Sequence, residues 1–563
     1  MAEAPITRTC KSARFLLAVG LLAAALPAQA ARVDAGSAIS ELARARLAEE
    51  AGDPTAALSA LTAVASEAPN LPGLRGRMLE QAIQAGDLVA ARAAAVQLWN
   101  AGDRRFDAQL VLVVDAMRRS DWKAARAYLG GRSDKSGGDA IARLIQPAFN
   151  SWIDVGAREK SPERHLLAAA GGARPEPALA LEAALVQVVA KRSGEAAAQA
   201  EKTVLTDRTS QLVALRLAAA LEAAGEADAA KALRGRIALV AGGREDPLLL
   251  LSGQPVTTPR GGMAHWLGLL ADGLARTPNG SSKLPLLFAR AAYWLDGNDW
   301  TARSALVEGL ERNGQRGDAL ALLTTGNRPL PAALQMRRAE FMADSGDLAG
   351  ATKLAAVAAR DGAPVRSLLI RYADIARRSG DRAAAEQAYS GIEATLGDDV
   401  SDKMLRGTLL IARAELLLQA NDWDAAKPLM EQAVALRPTD PAILNFAGYS
   451  AIERRKDVDK ALARIETAWT AEPQSASITD SLGWAYFLTG RMNEAVPLLE
   501  RAQLGDPTNA VIVEHLGDAY WQAGRRFQAR YTWRAAALVA DAEMAARIEA
   551  KLRDGLTQAT TAP

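Results

Sequence analysis

From Ala476 to Asp541 the sequence repeats itself with a period of 34 residues and no gap. The first unit carries Leu482-Gly483, Tyr486, Gly490, Ala495, Leu499, Ala502 and Pro507, and the second carries Leu516-Gly517, Tyr520, Gly524, Ala529, Trp533 and Ala536 at the same offsets; only the final proline has no counterpart. Small residues at fixed places within one period imply two helices whose backbones lie close together, with larger residues filling the space toward the next pair. Pro507 ends the second helix because proline cannot continue one. One such hairpin buries too little to stand alone, so a good repeat predicts neighbours stacked on it.

The start of the chain is different in kind. Arg8, Lys11 and Arg14 precede an apolar run of twelve residues, Phe15 to Leu26, and Pro27 leads to Ala28-Gln29-Ala30. That is the layout of a cleavable secretory signal, with cleavage expected near Ala30, and the apolar run is too short to span a bilayer. The single cysteine, Cys10, lies before the run, so the mature chain is expected to hold no disulfide, thiol nucleophile or thiolate metal site. Residues 1–30 take with them three of the 67 Lys and Arg and one of the 65 Asp and Glu, which leaves 64 of each. A balanced chain has no large basic field for nucleic acid or acidic lipid, which disfavours electrostatic capture of polyanions and leaves only local patches open. The expected address is the periplasm or the exterior, without direct insertion into a membrane.

Gly52-Asp53, Gly86-Asp87 and Ser120-Asp121 recur 34 residues apart, each followed by small residues at Ala56-Ala57, Ala90-Ala91 and Ala124-Ala125. Each Asp can cap the helix that follows, so three hairpins are predicted over about residues 37–130. The register breaks at Gly130–Gly138. That stretch lacks the glycine before lysine and the preceding strand of a phosphate loop, and reads as a surface loop. Looser turn marks at Gly194-Glu195 and Gly225-Glu226 predict degenerate hairpins up to about Val240. Residues 242–262 are the least helical part, either a linker between two halves or an ordered loop crossing one face.

Helices resume at Met263. Asn298-Asp299-Trp300 echoes Ser120-Asp121-Trp122 and Asn421-Asp422-Trp423, which predicts a tryptophan packed between hairpins after each turn. Turns at Gly346-Asp347 and Gly380-Asp381 are again 34 apart, and Arg454-Arg455-Lys456-Asp457 carries one extra residue. Ala542–Leu556 can cap the last hairpin. The expected organisation is a signal at 1–30, hairpins at 31–138, a degenerate helical region at 139–330, a second repeat array at 331–541, and a capping helix with tail at 542–563. The fold class is all-α, an α-solenoid of stacked helical hairpins with its core spread along the stack.

With these residues on the page, the chain resembles the tetratricopeptide repeat family, most closely over about residues 407–541. The resemblance implies a solenoid that binds other proteins and performs no chemistry; more narrowly, the chain is similar to exported repeat proteins of Gram-negative bacteria that assist envelope assembly or secretion. In that family the first helices line a concave groove. Carried over, the groove positions are Asn445, Tyr449, Asp480, Trp484, Phe487, Glu514, Asp518 and Trp521. Some family members read a partner's carboxylate there with lysine, arginine and asparagine, whereas these positions are largely acidic or aromatic. A partner segment with apolar and basic residues is therefore expected, an envelope protein or peptide.

No catalytic constellation accompanies the repeats. His165, His265 and His515 are scattered, Ser281-Ser282 has no base nearby, and Asp399 with Asp402 reads as a helix cap. No catalytic residue, cofactor or metal is expected. Two classes stay open: a protein-binding scaffold or adaptor of the cell envelope, and an envelope enzyme or processing factor with a cryptic site in residues 140–300.

Overall fold

The structure, a computed structural model, describes residues 35–562 apart from 131–138, 172–175, 238–239, 242–243, 246, 252–253, 278–281, 326–327 and 361–364. The signal at 1–30, the loop at 131–138 and Ser281 lie outside the described residues. The chain divides into two compact units that meet at Leu334 and Gln335.

In both units helix follows helix in antiparallel pairs, and the turns between them repeat one device. Gly86 has φ +79 and Gly380 has φ +72; at the same place Ser120 and Asn421 adopt φ 57 and 58, so the left-handed turn is kept even where a side chain must bear it. The next residue caps the second helix. Asp53, Asp87, Asp121, Asp347, Asp381 and Asp422 each accept a hydrogen bond at 2.9–3.1 Å from the backbone N–H three residues on. Four residues after the Asp, Ala57, Ala91, Ala125, Ala351, Ala385 and Ala426 are fully buried where the two helices touch.

Two readings need correction here, and one left open is decided. Gly194 lies inside the Ser193–Lys202 helix, and the left-handed residue of that turn is Lys191 (φ 67). Residues 242–262 are not a free linker: Pro247–Leu251 form a short 3₁₀ turn with Leu248, Leu249 and Leu251 buried, and the next helix already begins at Pro259. The core of the first unit is central rather than spread out. Its Pro259–Ala275 helix is buried from Gly261 through Leu269. It packs against the helices Asp139–Gly156, Pro177–Val189, Arg208–Ala223, Lys283–Leu295 and Trp300–Arg312.

The sequence explains why. A helix that is apolar on nearly every side must be covered on every side. Gly262 lets it approach: a Cβ there would lie 2.2 Å from the Trp152 ring. The unit also closes on itself over some 200 residues of chain, with Phe288 edge-on to Phe106 at 5.9 Å and Arg290 donating to the Gln84 carbonyl at 2.7 Å.

The second unit keeps the nearest-neighbour order of a solenoid. Its last hairpins are Pro441–Glu453 with Val458–Ala471, Ala476–Leu488 with Met492–Gly505, and Ala510–Gln522 with Arg526–Ala537. Before Val458, Arg455 and Asp457 both take positive φ, which absorbs the extra turn residue. Trp423 sits between the cores of two successive hairpins, as its place after the turn predicts. Helix Ala542–Asp554 closes the array, with Ile548 buried against Val513, Ala529 and Trp533.

Candidate functional site

The first helices Pro441–Glu453, Ala476–Leu488 and Ala510–Gln522 carry all eight predicted groove residues. Packing of these helices on their partners fixes where the side chains go. A Cβ at Gly448 would lie 2.8 Å from the Ala461 carbonyl, at Gly483 2.8 Å from Leu499 Cγ and at Gly517 2.4 Å from Trp533 Cδ1, so the inner faces are pinned by contacts that only glycine permits.

Depth along the inner face departs from expectation. Trp484, Glu514 and Asp518 are fully buried and Asp480 nearly so, while Asn445, Tyr449, Phe487 and Trp521 are half-buried. The three carboxylates already have basic partners within the chain. Asp480 receives His515 Nδ1 at 2.9 Å. Glu514 binds Arg547 at 2.7 and 2.9 Å and Lys551 at 2.6 Å. Asp518 binds Lys551 at 2.7 Å, Trp533 Nε1 at 2.8 Å and the Ala562 N–H at 2.8 Å. They therefore present no free negative charge to a basic partner segment. Buried carboxylates are retained only when paired, and the partners come from the following helices, about one repeat away.

The pKa directions follow the same geometry. Burial alone would raise Glu514, but Arg547 and Lys551 outweigh it and hold the carboxyl below its usual range. At Asp518 burial prevails over Lys551 and the carboxyl is raised. Burial would lower His515, yet Asp480 beside it, with Asp518 and Glu514, raises it. Tyr449 is pushed up by burial, with Glu453 and Asp480 adding to the shift.

His515, Trp484 and Phe487 form a continuous stack of rings, with centroids 4.0 and 4.5 Å apart and planes within 10° and 8°. Asn445 Oδ1, Trp484 Nε1 and His515 Nε2, one from each of the three successive first helices, are buried with no hydrogen-bond partner among the described residues. Sequence reasoning missed His515 because it lies one place beyond a groove position. The far end of the face is covered by the chain itself: Gly555 (φ +85) lies so close to Trp521 that a Cβ would be 2.2 Å from the ring, and the segment returns to place Ala562 on Asp518.

The contact set of one repeat recurs in the next. Tyr486 donates to Glu466 at 2.9 Å beneath the Arg491 guanidinium, and Tyr520 donates to Glu500 at 2.8 Å beneath Arg525. The repeating element is a tetratricopeptide-type hairpin. No family model and no curated protein matches the chain. Among solved structures it is similar to yeast Tom70 at 13% identity, over 92% of this chain and 95% of that one, with TM-score 0.34. It is also similar to Cut9 in the APC/C hetero-tetramer Cut9-Hcn1 at 15%, over 96% and 99%, TM-score 0.34. A third is YrrB, a TPR protein with an unusual peptide-binding site, at 15%, over 34% and 92%, TM-score 0.25.

In the first unit the first helices of the hairpins over residues 139–235 pack against the Pro259–Ala275 helix. There Trp152 Nε1 donates to the buried Glu182 at 2.8 Å, and Arg216 pairs with Asp299 at 2.8 Å while donating to the Gln254 carbonyl at 2.6 Å. Burial raises Glu182 to about 8 despite Trp152 and Arg216, and burial with Arg216 holds His265 well below its usual value. The cavity beside Arg216, His265 and Thr301 is about 10 Å³, the size of one water. Among the described residues no group of three or more His, Cys, Asp or Glu could hold a metal ion.

Proposed function

We propose that the chain is a non-catalytic protein-binding scaffold of the cell envelope that holds a partner segment on the inner face of its second unit. One observation carries the reading: Asn445 Oδ1, Trp484 Nε1 and His515 Nε2 stand unpartnered on three consecutive first helices, beside the half-buried Tyr449 and Phe487. Polar atoms on successive first helices suit the N–H and C=O groups of a peptide backbone, and orphan buried polar atoms are costly unless something satisfies them. The first unit supports the reading from the other side, because the hairpins over residues 139–235 hold a helix of the same chain. The layout of residues 1–30 supports an envelope address. The enzymatic alternative in residues 140–300 is less favoured: the cavity beside Arg216 and His265 is about the size of one water, and the larger open groove between Ala197–Leu205 and Asp228–Arg236 is lined mostly by alanine and other apolar side chains.

The test is affinity capture from envelope extracts with wild type, Asn445→Ala and Phe487→Ala, followed by direct binding of the captured protein after purification. Retained melting temperature with lost capture in both variants supports the proposal. Capture unchanged by both variants, or turnover of a small molecule by the purified chain, contradicts it.

A further inference from the structure

The outer face of the Arg526–Ala537 helix is unlike the rest of the second unit. Phe527 is 83% exposed, Tyr531 71% and Leu538, just past the helix end, 85%. With Arg534 they fall at i, i+4, i+11 and i+7, within about 60° of one another around a helix. Leu504, in the place of Leu538 one repeat earlier, is 79% exposed. The helix carries Arg526, Arg530 and Arg534 and no acid. Arg534 has no acidic partner among the described residues, and Arg526 rests on the Trp521 ring at 3.9 Å. The nearby acids are engaged: Glu500 accepts from Tyr520 and Arg525, and Asp541 caps Met544.

We infer that this face docks the protein on an anionic lipid surface, with Phe527, Tyr531, Leu538 and Leu504 entering the headgroup layer and Arg534 and Arg526 meeting lipid phosphates, while Arg530 is held by the Leu552 carbonyl. The shape favours lipid over protein. The apolar side chains project, and four of them offer about 600 Å², below the roughly 800 Å² a side of a standard protein interface. A second copy docked face to face would set arginines against arginines. Aromatic and leucine side chains beside arginine are the residue set that holds a peripheral helix at an anionic bilayer. The attachment is peripheral, since among the described residues no helix is long and apolar enough to cross a membrane.

The test is sedimentation of the full chain with phosphatidylcholine vesicles with and without phosphatidylglycerol. Wild type and variants run side by side, so any contribution from residues 1–30 is common to both. Binding that requires phosphatidylglycerol, weakens with salt, and falls about tenfold or more in both Phe527→Ser with Tyr531→Ser and Arg534→Glu is the expected result. These positions are exposed, so circular dichroism and melting should not change; if one variant fails to fold, the other still decides. The inference is overturned by absent vesicle binding, by binding equal in the variants, by wild-type dimers that the variants dissolve, or by polyglutamate capture without vesicle binding.

Discussion

Lys551 Nζ lies 2.6 Å from Glu514 and 2.7 Å from Asp518, and all three side chains are sealed from solvent. Removing the cation strands two buried carboxylates, of which only Glu514 keeps a second basic partner, Arg547. Lys551→Met should therefore cost about 3–5 kcal/mol in the second unit by urea unfolding. A triple replacement of Lys551, Glu514 and Asp518 by apolar residues should cost less than the single change.

Gly→Ala in a helix interior ordinarily stabilises by about 0.5–1 kcal/mol. At Gly517 the sign should reverse, because the added Cβ would meet the buried Trp533 ring at 2.4 Å. Gly517→Ala and Gly483→Leu should each cost about 1–3 kcal/mol by overpacking, read as a lower urea midpoint at unchanged m.

Glu182 gives the first unit a pH dependence of defined sign. Its folded pKa, about 8, lies above its value in the unfolded chain. Stability from this group is full below about pH 4.5 and is lost as pH rises toward 8. Glu182→Gln should match wild type near pH 4.5 and exceed it at pH 8, by an amount on the order of a few kcal/mol. A gap between the two proteins that does not widen with pH would refute the assignment.

The two units should behave differently when cut. A fragment of residues 336–562 should fold alone, since its hairpins touch their neighbours and its end is closed by Ala542–Asp554. Residues 35–236 without the Pro259–Ala275 helix should lack a cooperative melt, because the faces bearing Trp152, Leu212 and Leu215 lose the helix that covers them. Thermal circular dichroism distinguishes the outcomes.

The hairpins, the Asp caps, the tryptophan after the turn and the closing helix were legible because each is set by residues a few places apart. Burial was not. A repeat position names the face on which Asp480, Trp484, Glu514 or Asp518 lies, whereas its depth depends on His515, which is not a signature position, and on Lys551 and Ala562 beyond the last repeat, all between 31 and 44 residues away. Lys191 in the left-handed turn was hidden for a different reason: the sequence offered Gly194 three places on, and packing overrode that preference. The central core of the first unit was hidden by composition, since an apolar helix reads alike whether it sits in a stack or fills one.

The account turns on whether the inner face of the second unit receives a protein. A photo-crosslinking residue placed at Phe487, with a control at the outward Val89, 81% exposed in the first unit, tests this inside the cell. The account predicts one protein crosslinked at Phe487, none of it at Val89, and its loss when Asn445→Ala is added. No protein adduct at Phe487, or an adduct indifferent to Asn445, would contradict it.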